Sequence, residues 1–236
     1  MKKLCGIVVM ILLSIALVLG LKKSVETFGT TSIVTRDEKK DNEKKTIIID
    51  PGHGGFDPGK VGIGNLLEKD INLKISLILK DLLEAEGFEV IMTRTQDCGL
   101  YSEGDSNKKR ADMQKRVEII NNSTAVLAVS IHQNSFEQES SRGAQVFYHQ
   151  ASEKGKILGE ILQETIKTEI GDGNHRLAKS NDSYFMLRKT QCPLVIVECG
   201  FLTNNEEAKL LIQDEYQKKM ASAIVKGINN YLEQNA

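Results

Sequence analysis

The sequence has little net charge, few prolines and few cysteines, and each shortage removes a class of protein. Its 236 residues carry 31 basic and 32 acidic side chains, for a formal net charge of −1. No cationic field is therefore available to hold nucleic acid. With only three prolines, a long disordered tail is not expected. Of the four cysteines, Cys5 lies in an N-terminal apolar run. The remaining three (Cys98, Cys192 and Cys199) are odd in number and none pairs at CxxC spacing, so they read as buried or idle thiols. There is no internal repeat, and biased composition is confined to one short linker. What is present is enough apolar residue for one sizeable domain with a closed core.

The N-terminus is a separate object. Lys2 and Lys3 precede the eighteen uncharged residues Leu4–Leu21, and Lys22-Lys23 close the run. A basic segment followed by an apolar one reads as a secretory signal, and this one is just long enough to span a bilayer. Neither Ala16-Leu17-Val18 nor Leu19-Gly20-Leu21 makes a clean cleavage site, so residues 1–23 are expected to be an uncleaved anchor rather than a cleaved signal. Cys5 lies too early for a lipid attachment site. Residues 24–45 end in the mixed-charge run Asp37–Lys45 (DEKKDNEKK) and read as a solvated linker. The folded domain is expected over 46–236, outside the cytoplasm.

That domain is organised around Thr46–Gly55, TIIIDPGHGG. Three consecutive isoleucines without alternation suit a strand buried on both faces. Asp50-Pro51-Gly52 stops the ladder and places His53 in a glycine-rich loop at the strand's end. Further apolar runs at Phe88–Thr93, Ala125–Ile131, Gly143–Tyr148 and Leu194–Val197 read as strands, and Tyr184–Leu187 as a short one. Between them, apolar residues spaced by three and four predict helices from near Leu67 to Gly87, over Lys108–Asn121 and over Glu153–Ile170. Asn204–Leu211 and Asp214–Leu232 close the chain as two more. Alternating strands and helices predict an α/β three-layer sandwich, with a largely parallel sheet and helices on both faces.

Three polar residues follow buried apolar runs directly: His53, His132 after AVLAVSI, and Glu198 after LVIV. Glu68 opens the first helix. In open α/β sheets, ligands gather at the carboxyl ends of strands. If the strands are neighbours, His53, His132 and Glu198 meet at one sheet edge. Two histidines and a carboxylate form the donor set of a catalytic zinc site with one position open. Zn2+ there would lower the pKa of a bound water, and a further carboxylate could take its proton. Each residue alone has a plainer use. Glu68 would serve as a first-turn acid facing the helix dipole, and His132 as a hydrogen-bonded core histidine. Glu198 is the hardest to explain so, because buried carboxylates need partners. His149 and His175 sit in polar stretches and read as surface residues.

The motifs DPGHGG (Asp50–Gly55), LLEKDINL (Leu66–Leu73), VSIHQNS (Val129–Ser135) and VIVECGFLTNNEE (Val195–Glu207) resemble, in order and spacing, the signature blocks of the zinc N-acetylmuramoyl-L-alanine amidases of the type 3 amidase family. The resemblance covers essentially Thr46–Leu232. It implies a zinc ion held by His53, Glu68 and His132, with Glu198 as catalytic residue. The implied reaction cleaves the amide between muramic acid and L-alanine in peptidoglycan. Arg94, Arg116 and Asn134 are candidates for shaping the substrate groove, although structural ion pairs would equally explain the arginines. Gln133 stands where the family often has alanine. Only ten residues, Gln133–Arg142, separate His132 from Gly143, too few for the blocking helix some relatives insert there. No wall-binding repeat follows Leu232. This layout resembles the germination-specific spore-cortex amidases, whose peptide removal precedes formation of muramic lactam. It implies that an activating or targeting partner protein governs activity and placement. Two other readings stand beside this one: a zinc deacetylase acting on the same polymer, and a zinc-dependent wall-binding module without catalysis.

Overall fold

The three isoleucines do form a strand, and all of β1 (Thr46–Pro51) is buried. Ile47 and Ile49 enter one hydrophobic cluster and Ile48 the other, the period-two alternation of a strand covered on both sides. Each such fully buried isoleucine contributes about 1.5–3 kcal/mol relative to exposure. The structure, a computed structural model, describes residues 44–235. The expected membrane segment (1–23) and all but the last two residues of the linker (24–45) lie outside the described residues. Among the described residues, no helix is long and apolar enough to cross a membrane.

After β1 come α1 (Glu68–Ala85), β2 (Glu89–Met92), α2 (Lys108–Asn121), β3 (Leu127–Asn134), β4 (Gln145–Tyr148), α3 (Glu153–Ile170), β5 (Lys179–Ser180), α4 (Phe185–Lys189), β6 (Leu194–Phe201), α5 (Asn205–Leu211) and α6 (Asp214–Gln234). One six-stranded sheet runs β2-β1-β3-β6-β4-β5. All neighbouring pairs are parallel except β4 with β6. α1, α3 and α6 bury Ile75, Leu79, Leu158, Leu162, Ile224 and Ile228 in the larger cluster on one face. On the other face, Ile120 of α2 with Met186 and Leu187 of α4 pack on Ile48, Ala128 and Ile196. This is the three-layer α/β sandwich that the alternation of elements predicts.

Two expectations are corrected. Tyr184–Leu187 is not a strand. Lys179–Ser180, inside a stretch expected to be loop, already pairs with Phe147 and Tyr148 at that sheet edge. The Asn181 side chain then turns the chain by accepting from the Ser183 and Tyr184 amides, at 2.8 and 3.1 Å, so Phe185–Lys189 winds into α4. Similarly, His132 and Glu198 do not follow their strands but lie within them. The β3–β6 ladder continues with His132 opposite Glu198, then shifts register before Asn134 pairs with Phe201. That direct pairing places the two side chains on one side of the sheet.

Candidate active site

The loop after β1 is held by its carbonyl oxygens. Arg94 donates from Nε to Pro51 O at 2.9 Å and from Nη2 to Gly52 O at 3.0 Å. Arg116 donates from Nη1 to Pro51 O at 2.8 Å and from Nη2 to His53 O at 2.6 Å. Arg116 is in turn fixed by Asp50 Oδ1 at 2.7 Å and Asp112 Oδ2 at 2.6 Å. Both arginines are buried. They hold the loop through its carbonyl oxygens, and Arg116 also borders the cavity. Asp50 also accepts from Thr93 Oγ1 and Ser130 Oγ, each at 2.6 Å. Burial pushes its carboxyl up, yet Arg116 and the two hydroxyls outweigh that and lower its pKa to about 2. Through these clamps His53 is kept at φ 61°, a left-handed conformation unusual outside glycine.

The chain brings together three of the expected residues on a single oxygen atom. Glu68 Oε1 lies 3.2 Å from His53 Nε2 and 3.0 Å from His132 Nδ1. The two imidazole rings meet edge to face, with centroids 5.0 Å apart. One donor atom from each of the three residues lies within 4.8 Å of the others, an arrangement that could hold a metal ion. Glu68 also accepts from Gln133 N and Asn72 Nδ2 at Oε1 and from Lys60 N at Oε2. Burial pushes the Glu68 carboxyl up, but the two histidines more than offset it and hold it far below the usual carboxylate range. His53 is pushed down by burial, and Glu68 and Asp57 reverse this, so its imidazole sits above the usual histidine range.

Several contributors escape a reading by sequence. Asp57 Oδ2 lies 2.9 Å from His53 Nδ1, which orients the ring so that Nε2 faces Glu68; in sequence it is one polar residue of a turn. Gln133 donates to Asn72 Oδ1 at 3.1 Å, and Asn72 donates to Gly52 O and to Glu68. The amide of Asn72 is thereby locked with its donor end towards the carboxylate. Two glycines are required by close approach. A Cβ on Gly52 would stand 2.2 Å from the His132 ring, and one on Gly59 would stand 2.5 Å from Glu68 Oε2.

Glu198 faces the same space from β6. It is 7% exposed, and its Oε2 is buried without a hydrogen-bond partner. Burial, with a contribution from the Glu68 charge, raises its pKa to about 7 against the opposing pull of His132 and His53. A buried carboxyl left near neutrality and unpartnered is the arrangement expected of a proton carrier. Together with His53, Glu68, His132 and Tyr184 it lines a cavity of about 410 Å³.

Residues 47–230 match the model of the N-acetylmuramoyl-L-alanine amidase family. The chain belongs to that family. It is 39% identical over 190 residues to the germination-specific N-acetylmuramoyl-L-alanine amidase of Bacillus subtilis (strain 168), covering 79% of each chain. Among solved structures it is similar to the CwlD amidase of Clostridioides difficile in complex with the GerS lipoprotein. That match has 44% identity and a TM-score of 0.78, over 80% of this chain and 99% of the other. An N-acetylmuramoyl-L-alanine amidase from Clostridium difficile 630 matches at 30% identity and a TM-score of 0.72, over 82% and 99%.

The protein is thus a peptidoglycan amidase, and the deacetylase and binding-module readings fall away. Four further features of the amidase domain bear on the expectations from sequence. No helix lies between β3 and β4, where a blocking helix would stand. Asn134 borders the cavity, while its Oδ1 accepts from Ser135 N at 2.8 Å. His149 lies beside Asp182 and His175 is exposed, both outside the cluster of the two other histidines. Cys98, Cys192 and Cys199 are free thiols.

Proposed function

We propose that this amidase is zinc-dependent, with His53, Glu68 and His132 as the ligands and Glu198 as the catalytic residue. One observation carries the metal assignment. A buried, ionised Glu68 presents one oxygen to two imidazole nitrogens, and no lysine or arginine side chain among the described residues pairs with it. Such a carboxylate calls for a cation, and the nitrogen–oxygen donor set suits zinc. When bound, zinc would supply Lewis acidity to the scissile carbonyl and to water.

The remaining work belongs to the chain. Glu198 takes a proton from the attacking water on its unpartnered Oε2 as the new C–O bond forms at the lactyl carbonyl. It then returns that proton to the L-alanine nitrogen as the C–N bond breaks, leaving a carboxylic acid and a free amine. Asp57 holds the His53 tautomer, and the Lys60 amide holds the outer oxygen of Glu68. The test is a metal assay on the purified chain, paired with release of stem peptides from peptidoglycan. Free L-alanine amino termini, lost on chelation and restored by zinc, are the expected outcome.

We infer further that the substrate is spore-cortex peptidoglycan, reached from an extracytoplasmic position through a membrane segment at residues 1–23 and a linker at 24–45. Support comes from the similarity to the germination-specific relative and from the N-terminal sequence pattern. A partner protein is inferred to activate or place the enzyme; the similar C. difficile amidase was solved with a lipoprotein. Full turnover by the isolated domain with zinc alone would remove the need for that partner. Spores lacking the protein should be short of muramic lactam, and a normal cortex would overturn the assignment.

A further inference from the structure

Tyr184 lines the cavity together with His53, His132 and Glu198. Asn181 Oδ1 accepts its amide at 3.1 Å, and its carbonyl accepts from Arg188 N at 3.3 Å, which fixes its backbone where the chain enters α4. Its ring stands edge-on to Phe147, with centroids 5.6 Å apart, on the face that also carries Ile196. By the alternation along β6, Glu198 emerges on that same face. The Tyr184 hydroxyl makes no hydrogen bond within the described residues, yet the charges of Glu198 and Glu68 both act on it. Burial and these two carboxylates push its pKa up to about 12, so it keeps its proton wherever Glu198 titrates.

Most other polar groups bordering the cavity are engaged. His53 and His132 face Glu68, and Arg116 is bound to Asp50, Asp112 and the loop backbone. Lys109 is exposed and reaches Asp57 at 3.6 Å. At the end of β3, Asn134 accepts the Ser135 amide at Oδ1, while its Nδ2 and the Ser135 hydroxyl make no hydrogen bond among the described residues. A neutral donor on a fixed backbone, lining the same cavity as the base, is what an amide carbonyl needs as negative charge builds on its oxygen.

We propose that the Tyr184 hydroxyl donates a hydrogen bond to the scissile carbonyl oxygen and stabilises the charge that develops there. This rests on the reading of Glu198 as the base. The test is Tyr184→Phe in the zinc-loaded chain, which keeps the ring against Phe147 and removes only the hydroxyl. The expected result is a kcat lower by on the order of 10²-fold, with KM, zinc content and melting temperature unchanged. A kcat within about twofold of the parent, a loss confined to KM, or a loss that tracks missing zinc would overturn it. Glu198→Gln run in parallel separates the two ideas. An inactive Glu198→Gln with a fully active Tyr184→Phe sinks the tyrosine alone, whereas an active Glu198→Gln sinks the base assignment and this proposal with it.

Discussion

Single side chains lining one cavity carry opposite electrostatic tasks. Glu198 is buried without a partner and its pKa rises to about 7, whereas Asp50 is buried among donors and its pKa falls to about 2. Replacing Glu198 by Gln should lower peptidoglycan hydrolysis by about 10²–10⁴-fold while zinc stays bound, read by turnover and metal content together. Asp50 makes a stability prediction. Its folded pKa lies below the ordinary 3.8, so its contribution is fully present above about pH 4 and is lost as pH falls towards 2. The difference amounts to about 2 kcal/mol. Urea unfolding between pH 5 and pH 2 should show that loss in the parent and not in Asp50→Asn, which should be less stable than the parent near neutrality. A buried acid at Glu198 was legible from its place after LVIV, but its lack of a hydrogen-bond partner was not. The role of Arg94 was not, because nothing local tells an arginine that it will bind carbonyl oxygens 42 and 43 residues away.

At the scale of elements, the site depends on how closely β1, α1 and β3 approach. Gly52 meets the His132 ring from β3, and Gly59 meets Glu68 at the start of α1. Gly52→Ala should therefore displace the imidazole, lowering zinc occupancy sharply and costing about 1–3 kcal/mol of stability through overpacking; metal content and thermal melting check it. Gly104, with nothing within 4 Å of its added Cβ and no positive φ, is the control that should leave zinc occupancy intact. Most elements were readable from periodicity. The failure at Tyr184–Leu187 is instructive, because its apolar character suits a strand but the edge of β4 was already occupied by Lys179–Ser180. Edge availability is a property of the assembled sheet.

For the whole molecule, the three proposed ligands come from a loop, a helix and a strand, so a bound ion would tie together elements 64 residues apart. Chelation should lower the melting temperature, and zinc at a thousandfold excess over its Kd should restore about 4 kcal/mol. His53→Ala, Glu68→Ala and His132→Ala should each abolish most of that zinc-dependent shift. A Glu68→Ala protein that kept it would mark Glu68 as a helix-terminal acid and not a ligand.

The linear order of residues was sufficient for the sandwich class and the family, and it nominated four residues that line one cavity, because apolar periodicity and short motifs are local properties. Only the tertiary structure decided that His53 and His132 share one oxygen of Glu68, that two arginines clamp the loop, that β4 runs against β6, and that Tyr184 lines the cavity with Glu198. Those outcomes depend on which distant segments the sheet and its crossovers bring into van der Waals contact, and no stretch of chain contains that information by itself.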